Sequence, residues 1–409
     1  MTKSISFIDE KREEILTVLK DLIKARTENP PGDTSEGIKV IGKVLEKYGI
    51  DYRIVEPSSG KMNLIAELGD GEPVLILNGH VDVVPAGDGW SVDPFSGIVE
   101  GDKIYGRGSS DMKSGVIALL YAFLAHRDIR NGKLVLTIVA DEETGGREGT
   151  KYLLENKLVH GDACLIAEPS GRLGPHVYDI VAGEKGALWL KVRTSGKAAH
   201  GSLPMLGDNA IKKMAKIVTE LPMLIPIKSG IPENAKTLIE HGKEALKSAH
   251  PEAPKALDHL TINVGTIKGG KKTNIVADDC EITLDIRVPI SLSTDTALRE
   301  VEKIIRQNLC NDVDLEVIDR IEPSYTPANH SFTKIVREVA KKYLGYEPLT
   351  ICMAATSDAR IFRHHNIPTI NFGPGYLEKA HTKDEFVYLN DVFLFAKIYV
   401  EIIERFLKH

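Results

Sequence analysis

The chain has 409 residues, 42% hydrophobic and 27% charged, too long for one ordinary core, so two domains are expected. A formal net charge of −6, with no basic run, gives no electrostatic footing for nucleic acid or an anionic membrane as partner. The widely spaced Cys164, Cys280, Cys310 and Cys352 form no C-x-x-C pair, which argues against a zinc ribbon or a disulfide framework and fits a reducing compartment.

The opening stretch "MTKSISFIDEKREEIL" is charged almost at once and has no apolar signal-like core, and no apolar run approaches bilayer length, so a cytoplasmic location is expected. In "KREEILTVLKDLIKA", Ile15, Leu16, Leu19, Leu22 and Ile23 share one helical face. "PVLILNG" and "KLVLTIVA" are short Val/Ile/Leu runs that read as strands buried on both faces of a parallel sheet, and "SGVIALLYAFLAH" between them reads as a buried crossover helix. That layout predicts an α/β domain.

Near Gly183 the texture changes. "GALWLKVRTSG", "LTINVGTI", "NIVADDCEITLDIRVP" and "VDLEVIDRI" read as strands with partial alternation. Two helices are predicted between them, one carrying Ile211, Met214, Ala215, Val218 and Leu221 on one face, the other Ala297, Leu298, Val301, Ile304, Ile305 and Leu309. This predicts a small α+β unit with helices on one face of an antiparallel sheet, inserted as residues 183–324 into a discontinuous domain of 1–182 and 325–409. The polar, Pro-bearing stretch 223–258 reads as a further insertion with no assigned structure.

Polar residues recur at the ends of the apolar runs: His80 and Asp82 in "LILNGHVDVVP", Asp111 in "YGRGSSDMKSG", Glu142 and Glu143 after "TIVA", Glu168 after "ACLIA", and His381 after "TINFGPG". Singly, each has an ordinary explanation as a loop residue, a helix N-cap or dipole compensation. Together, two histidines and several carboxylates beyond strand ends match the donor types of a zinc or two-metal hydrolytic site, where ligands of open α/β sheets collect. Two other motifs fail on inspection. "GTIKGGKKT" puts Lys272 where a phosphate-binding loop needs Ser or Thr, and "GRGSSD" puts Asp111 where a dinucleotide fingerprint needs glycine.

The segments "GHVDVVP", "YGRGSSDMKSG", "ADEETGG", "AEPS", "GKAAHGSLP", "TSDAR" and "FGPG…AHTKDEF" resemble, in order along the whole chain, the signatures of the metallohydrolase family that contains succinyl-diaminopimelate desuccinylase, acetylornithine deacetylase, aminoacylase and glutamate carboxypeptidase. The resemblance implies an α/β/α catalytic domain with a mostly parallel, mixed sheet and an inserted ferredoxin-like lid and dimerisation domain. It implies two zinc ions per chain, with cobalt or manganese as substitutes. His80, Asp111 and Glu168 would hold one ion, and Glu143, His381 and Asp111 the other, Asp111 bridging ions about 3.5–4 Å apart. Asp82 would hydrogen-bond the far nitrogen of His80, and Glu142 would be the general base.

From the inserted domain, His200 of the partner subunit would bind the oxyanion, while Arg287, Asn274 and, in the large domain, Gly373 would bind substrate. The implied partners are a small-molecule substrate with a free carboxylate and a second copy of the chain. Glu at position 168 tilts the expectation to a deacylase of N-acyl amino acids, with a carboxypeptidase or dipeptidase as the alternative. A binding protein that had lost catalysis would lack a ligand or the base, and all are present.

Overall fold

The computed structural model describes residues 3–172, 177–227, 230–247, 249–309 and 313–408. The chain divides into two units: Met1–Ala182 with Thr326–Thr350 and Ser357–His409, and Gly183–Tyr325 with Ile351–Thr356.

The large unit is built on a mixed sheet whose strands run in the order Tyr52–Val55, Asn63–Asp70, Gly132–Val139, Val74–His80, Ala163–Arg172 and Thr369–Tyr376. Val74–His80 is parallel to both its neighbours, Thr369–Tyr376 is parallel to Ala163–Arg172, and Asn63–Asp70 is antiparallel to Gly132–Val139. Every residue of Val74–His80 is buried, which explains a continuous apolar run in place of alternation. The helix Ser114–Leu124 is buried along its whole length and packs beside the C-terminal helix Leu389–Phe406. Two glycines let it approach the sheet. A Cβ on Gly79 would meet Val116 Cγ2 at 2.8 Å, and one on Gly115 would meet Ala167 O at 2.1 Å. The start of this helix is thereby pressed against the strand that carries Glu168.

The small unit has a five-stranded antiparallel sheet in the order Leu224–Pro226, His259–Gly269, Asp279–Val288, Gly186–Ser195 and Val313–Ile321. Asp279–Val288 alternates strictly between buried and less buried residues, because only one face meets the helices Ala210–Glu220 and Thr294–Ile304. The first helix turns out rotated from the sequence expectation. Ala210, Met214 and Ile217 are buried, whereas Ile211 and Ala215 face outward, since apolar residues occupy two sides of the helix and the sheet selects one. The second buries Ala297, Val301 and Ile305 as expected; the side chain of Leu309 and Cys310 lie outside the described residues.

The stretch 223–258 is structured where described. It adds the edge strand Leu224–Pro226 and the helix Lys236–Leu246, which buries Leu238, Ile239 and Ala245. The fully buried Lys185 closes its end, its ammonium donating to His259 O at 2.9 Å and to Ala256 O. Ile351–Thr356 joins this unit, with Lys185 N donating to Met353 O at 3.1 Å. Among the described residues no helix is long and apolar enough to cross a membrane.

Candidate metal centre

Strand register brings the first donors together. His80 pairs with Val139 and Asn78 with Ile166, so His80, the turn after Val139, and Glu168 share one level across three adjacent strands, two of which end there. His80 Nε2 lies 3.3 Å from Asp111 Oδ1 and 3.5 Å from Glu168 Oε1. His381 Nε2 lies 3.3 Å from Asp111 Oδ2 and 3.1 Å from Glu143 Oε2. The five side chains form two triplets, each with donor atoms within 4.8 Å of one another, and Asp111 belongs to both. Asp111 does not cap the helix that follows; its backbone is extended (φ −122°, ψ 98°) and its two oxygens point to different histidines.

Asp82 departs from expectation. The partner of His80 Nδ1 is the backbone carbonyl of Asp82, at 2.9 Å, while the nearer carboxylate oxygen is 3.6 Å away. That carboxylate is engaged elsewhere. It accepts from Glu142 N (3.2 Å), Glu143 N (3.3 Å) and Asn29 Nδ2 (2.9 Å). The carbonyl still favours the tautomer with its proton on Nδ1, leaving Nε2 as the ligand atom. Asp82 therefore serves two neighbours at once, His80 through its main chain and the glutamate pair through its side chain.

Glu142 and Glu143 occupy a single 3₁₀ turn, Glu142–Thr144, entered through Asp141 at φ 71°. Glu143 belongs to the ligand triplet and Glu142 to neither. A buried polar network underlies this turn. Lys61 Nζ donates to Asp141 Oδ1 at 3.0 Å, Thr144 Oγ1 donates to the same oxygen at 2.6 Å, and Asn29 Nδ2 reaches Thr144 Oγ1 at 3.1 Å. Sequence reading missed Asn29, Lys61 and Asp141. The one usable signal was an aspartate directly ahead of a glutamate pair, because nothing local links it to residues 80 and more positions earlier.

The donor set fits a pair of divalent cations. His80 Nε2, Asp111 Oδ1 and Glu143 Oε1 are buried and have no hydrogen-bond partner, which is costly unless a ligand completes them. Without a cation, protons balance the carboxylates. Burial raises Glu168, Glu143 and Glu142, whose charges also oppose one another. Burial would raise Asp111 too, yet His381 and His80 hold its carboxyl far below the usual range. Burial would lower His80, but Glu168, Asp111 and Asp82 draw it well above an ordinary histidine. His381 is drawn up to about 10 by its hydrogen bonds with Asp111 and Glu143.

Those protons must leave before the ring nitrogens ligate. Zinc added to the metal-free protein should thus release protons, and apparent affinity should fall as pH falls through neutrality. Calorimetry in buffers of different ionisation enthalpy measures this, and binding with no proton release would contradict the assignment.

The remaining expected residues belong to neither triplet. Gly373 has a packing reason for being glycine: a Cβ would meet Ala167 O at 2.1 Å. Its N–H donates to Ser170 Oγ at 3.2 Å and its C=O accepts from the same hydroxyl at 3.0 Å. In the small unit, His200 and Asn274 come together. His200 is bridged to Ile275, and Gly201 N donates to Asn274 O at 2.8 Å beside a shallow surface hollow. The His200 ring rests against Ser202 Oγ at 2.7 Å. Arg287 is closed on Asp285 of the same strand, Nε at 2.9 Å and Nη2 at 3.0 Å.

Comparison with known proteins agrees with this chemistry. The chain is 28% identical to a probable succinyl-diaminopimelate desuccinylase of Staphylococcus aureus over 97% of its own length and 98% of the relative's. It is 29% identical to an acetylornithine deacetylase of Proteus mirabilis over 90% of its length and 89% of the relative's. A solved M20 family metallo-carboxypeptidase from Sulfolobus solfataricus shares the fold, with a TM-score of 0.79 at 22% identity, covering 97% of this chain and all of that one. The pattern of peptidase family M20/M25/M40 matches residues 76–405, and the chain belongs to that family of metal-dependent hydrolases acting on amide bonds.

Proposed function

We propose that the protein removes the acyl group from an N-acyl amino acid, as a desuccinylase or deacetylase would, using two zinc ions. The observation that carries amide hydrolysis at this site is the adjacent pair in one turn, Glu143 inside a ligand triplet that shares Asp111 and Glu142 outside both, and similarity to a desuccinylase and a deacetylase tilts it to acyl removal. Bound cations supply Lewis acidity, polarising the amide carbonyl and acidifying water. Glu142 takes the proton from the attacking water and returns it to the departing amine. His200 of the partner subunit donates to the tetrahedral oxyanion in a homodimer formed through the small unit. Leu203, Met205, Leu206 and Ile275 are exposed beside His200, and covering such a surface supports a second copy there. Cys164, Cys280 and Cys352 are buried and not in disulfides, which supports a reducing, cytoplasmic setting.

A carboxypeptidase or dipeptidase is the second reading. It would use the same residues on a peptide amide, and the likeness to the carboxypeptidase rests on fold. Amine release from succinyl, acetyl, formyl and aminoacyl substrates, each with zinc and with a chelator, separates the two. Turnover of dipeptides alone would replace the deacylase reading.

Arg287 is our candidate for the substrate's carboxylate, because its fork donates two parallel bonds to such a group. The incoming carboxylate would take the place of Asp285. A methyl ester of the substrate should lose about 2–5 kcal/mol of binding in the transition state, so its kcat/KM should fall at least about 30-fold. Equal kcat/KM for acid and ester would remove this role from Arg287.

A further inference from the structure

We propose that the buried ion pair Arg107–Glu385 is a positioning device that presets Asp111 and His381 for the two cations. Arg107 lies four residues before Asp111, and Glu385 four residues after His381. Both are buried, at 3% and 0% exposure, and Arg107 Nη1 meets Glu385 Oε2 at 2.6 Å. One ion pair thus ties together the two segments that carry ligands of the second triplet.

Each partner holds more than the other. Glu385 Oε1 accepts from Ser110 N at 2.8 Å and Asp111 N at 3.0 Å, so the carboxylate grips the main chain of the bridging residue itself. Arg107 Nη1 also donates to Thr382 O at 3.1 Å, next to His381. Its Nη2 donates to Ala86 O at 3.2 Å, at the end of the loop that starts from His80 and Asp82, and Trp90 lies over the guanidinium at 5.2 Å. Three ligand-bearing segments therefore meet at one arginine. The planar fork spreads its donors over separate nitrogens, so it spans acceptors that lie too far apart for the single nitrogen of an ammonium.

The need for such a clamp follows from where the ligands sit. His80 and Glu168 stand on the central sheet, where strand register places them. Asp111 and His381 stand on irregular chain, the latter at φ 61° and half exposed, with no ladder to fix either. A bridging carboxylate that wanders by an ångström serves neither ion. Residues behind metal ligands typically contribute about 10–100-fold in metal affinity.

The inference rests on the two-ion reading, and the test separates them. Metal-free full-length protein, Glu385→Gln and Arg107→Lys are titrated with zinc by calorimetry, well below the melting temperature measured for each. Wild type should take two equivalents. Each variant should bind both equivalents more weakly, because Asp111 belongs to both triplets, and the one that also needs His381 by about 10–100-fold. Arg107→Lys keeps a cation beside Glu385, so it reports lost geometry without a stranded charge. Two equivalents at native affinity in the variants, with only a lower melting temperature, would make the pair structural and overturn the inference. Failure of both variants to fold would overturn it likewise. A wild type that takes a single equivalent would overturn the two-ion reading first, and this inference with it.

Discussion

Glu142→Ala should leave a folded, metal-loaded protein whose turnover is lower by about 100- to 10,000-fold. Glu143→Ala should instead lose metal, and activity with it. The two residues are neighbours in one turn, yet they face different tasks. Glu143 Oε2 is 3.1 Å from His381 Nε2 and its other oxygen is buried without a partner. Glu142 belongs to neither triplet, and burial together with nearby Asp358 and Glu143 raises its carboxyl well above an ordinary glutamate, the direction that suits a base working near neutral pH. The main chain of both is held by Asp82, so truncating either side chain leaves the turn in place. Metal analysis and steady-state kinetics on the two variants decide the matter. Metal loss in Glu142→Ala with retention in Glu143→Ala would reverse the assignment.

His200→Ala should cut turnover by about 100- to 1,000-fold while metal content stays native, as expected for one lost oxyanion donor. A surface histidine with only its Ser202 contact would be nearly silent when replaced. The stronger experiment mixes inactive His200→Ala protein with inactive Glu142→Ala protein and lets subunits exchange. In a mixed dimer, one site has an intact Glu142 and an intact His200 of the partner subunit. On random exchange, about a quarter of native activity should return. No recovery despite demonstrated exchange would mean that His200 acts within its own chain or has no part in the reaction.

The five metal-ligand candidates and Glu142 could be singled out in the sequence because each closely follows an apolar run or precedes a buried helix, both local patterns; the division into ligands and candidate base came from the family resemblance. The change of texture at Gly183 was legible for the same reason: strict burial on two faces and alternation on one leave different marks. What tertiary structure alone decided is everything held by pairing across long sequence distances. Arg107 and Glu385 are 278 residues apart and Asn29 and Asp141 are 112 apart, and each of these residues taken singly reads as an ordinary loop polar group. The role of the Asp82 side chain turned on whether the carbonyl or the carboxylate met His80, a choice made by three donors arriving from elsewhere in the fold. The rotation of the helix Ala210–Glu220 was likewise settled by the sheet beneath it, because its apolar residues would suit more than one face. Local pattern assigns residues to strand ends; only the folded chain brings donors and acceptors within 3 Å, where a hydrogen bond or an ion pair acquires its direction.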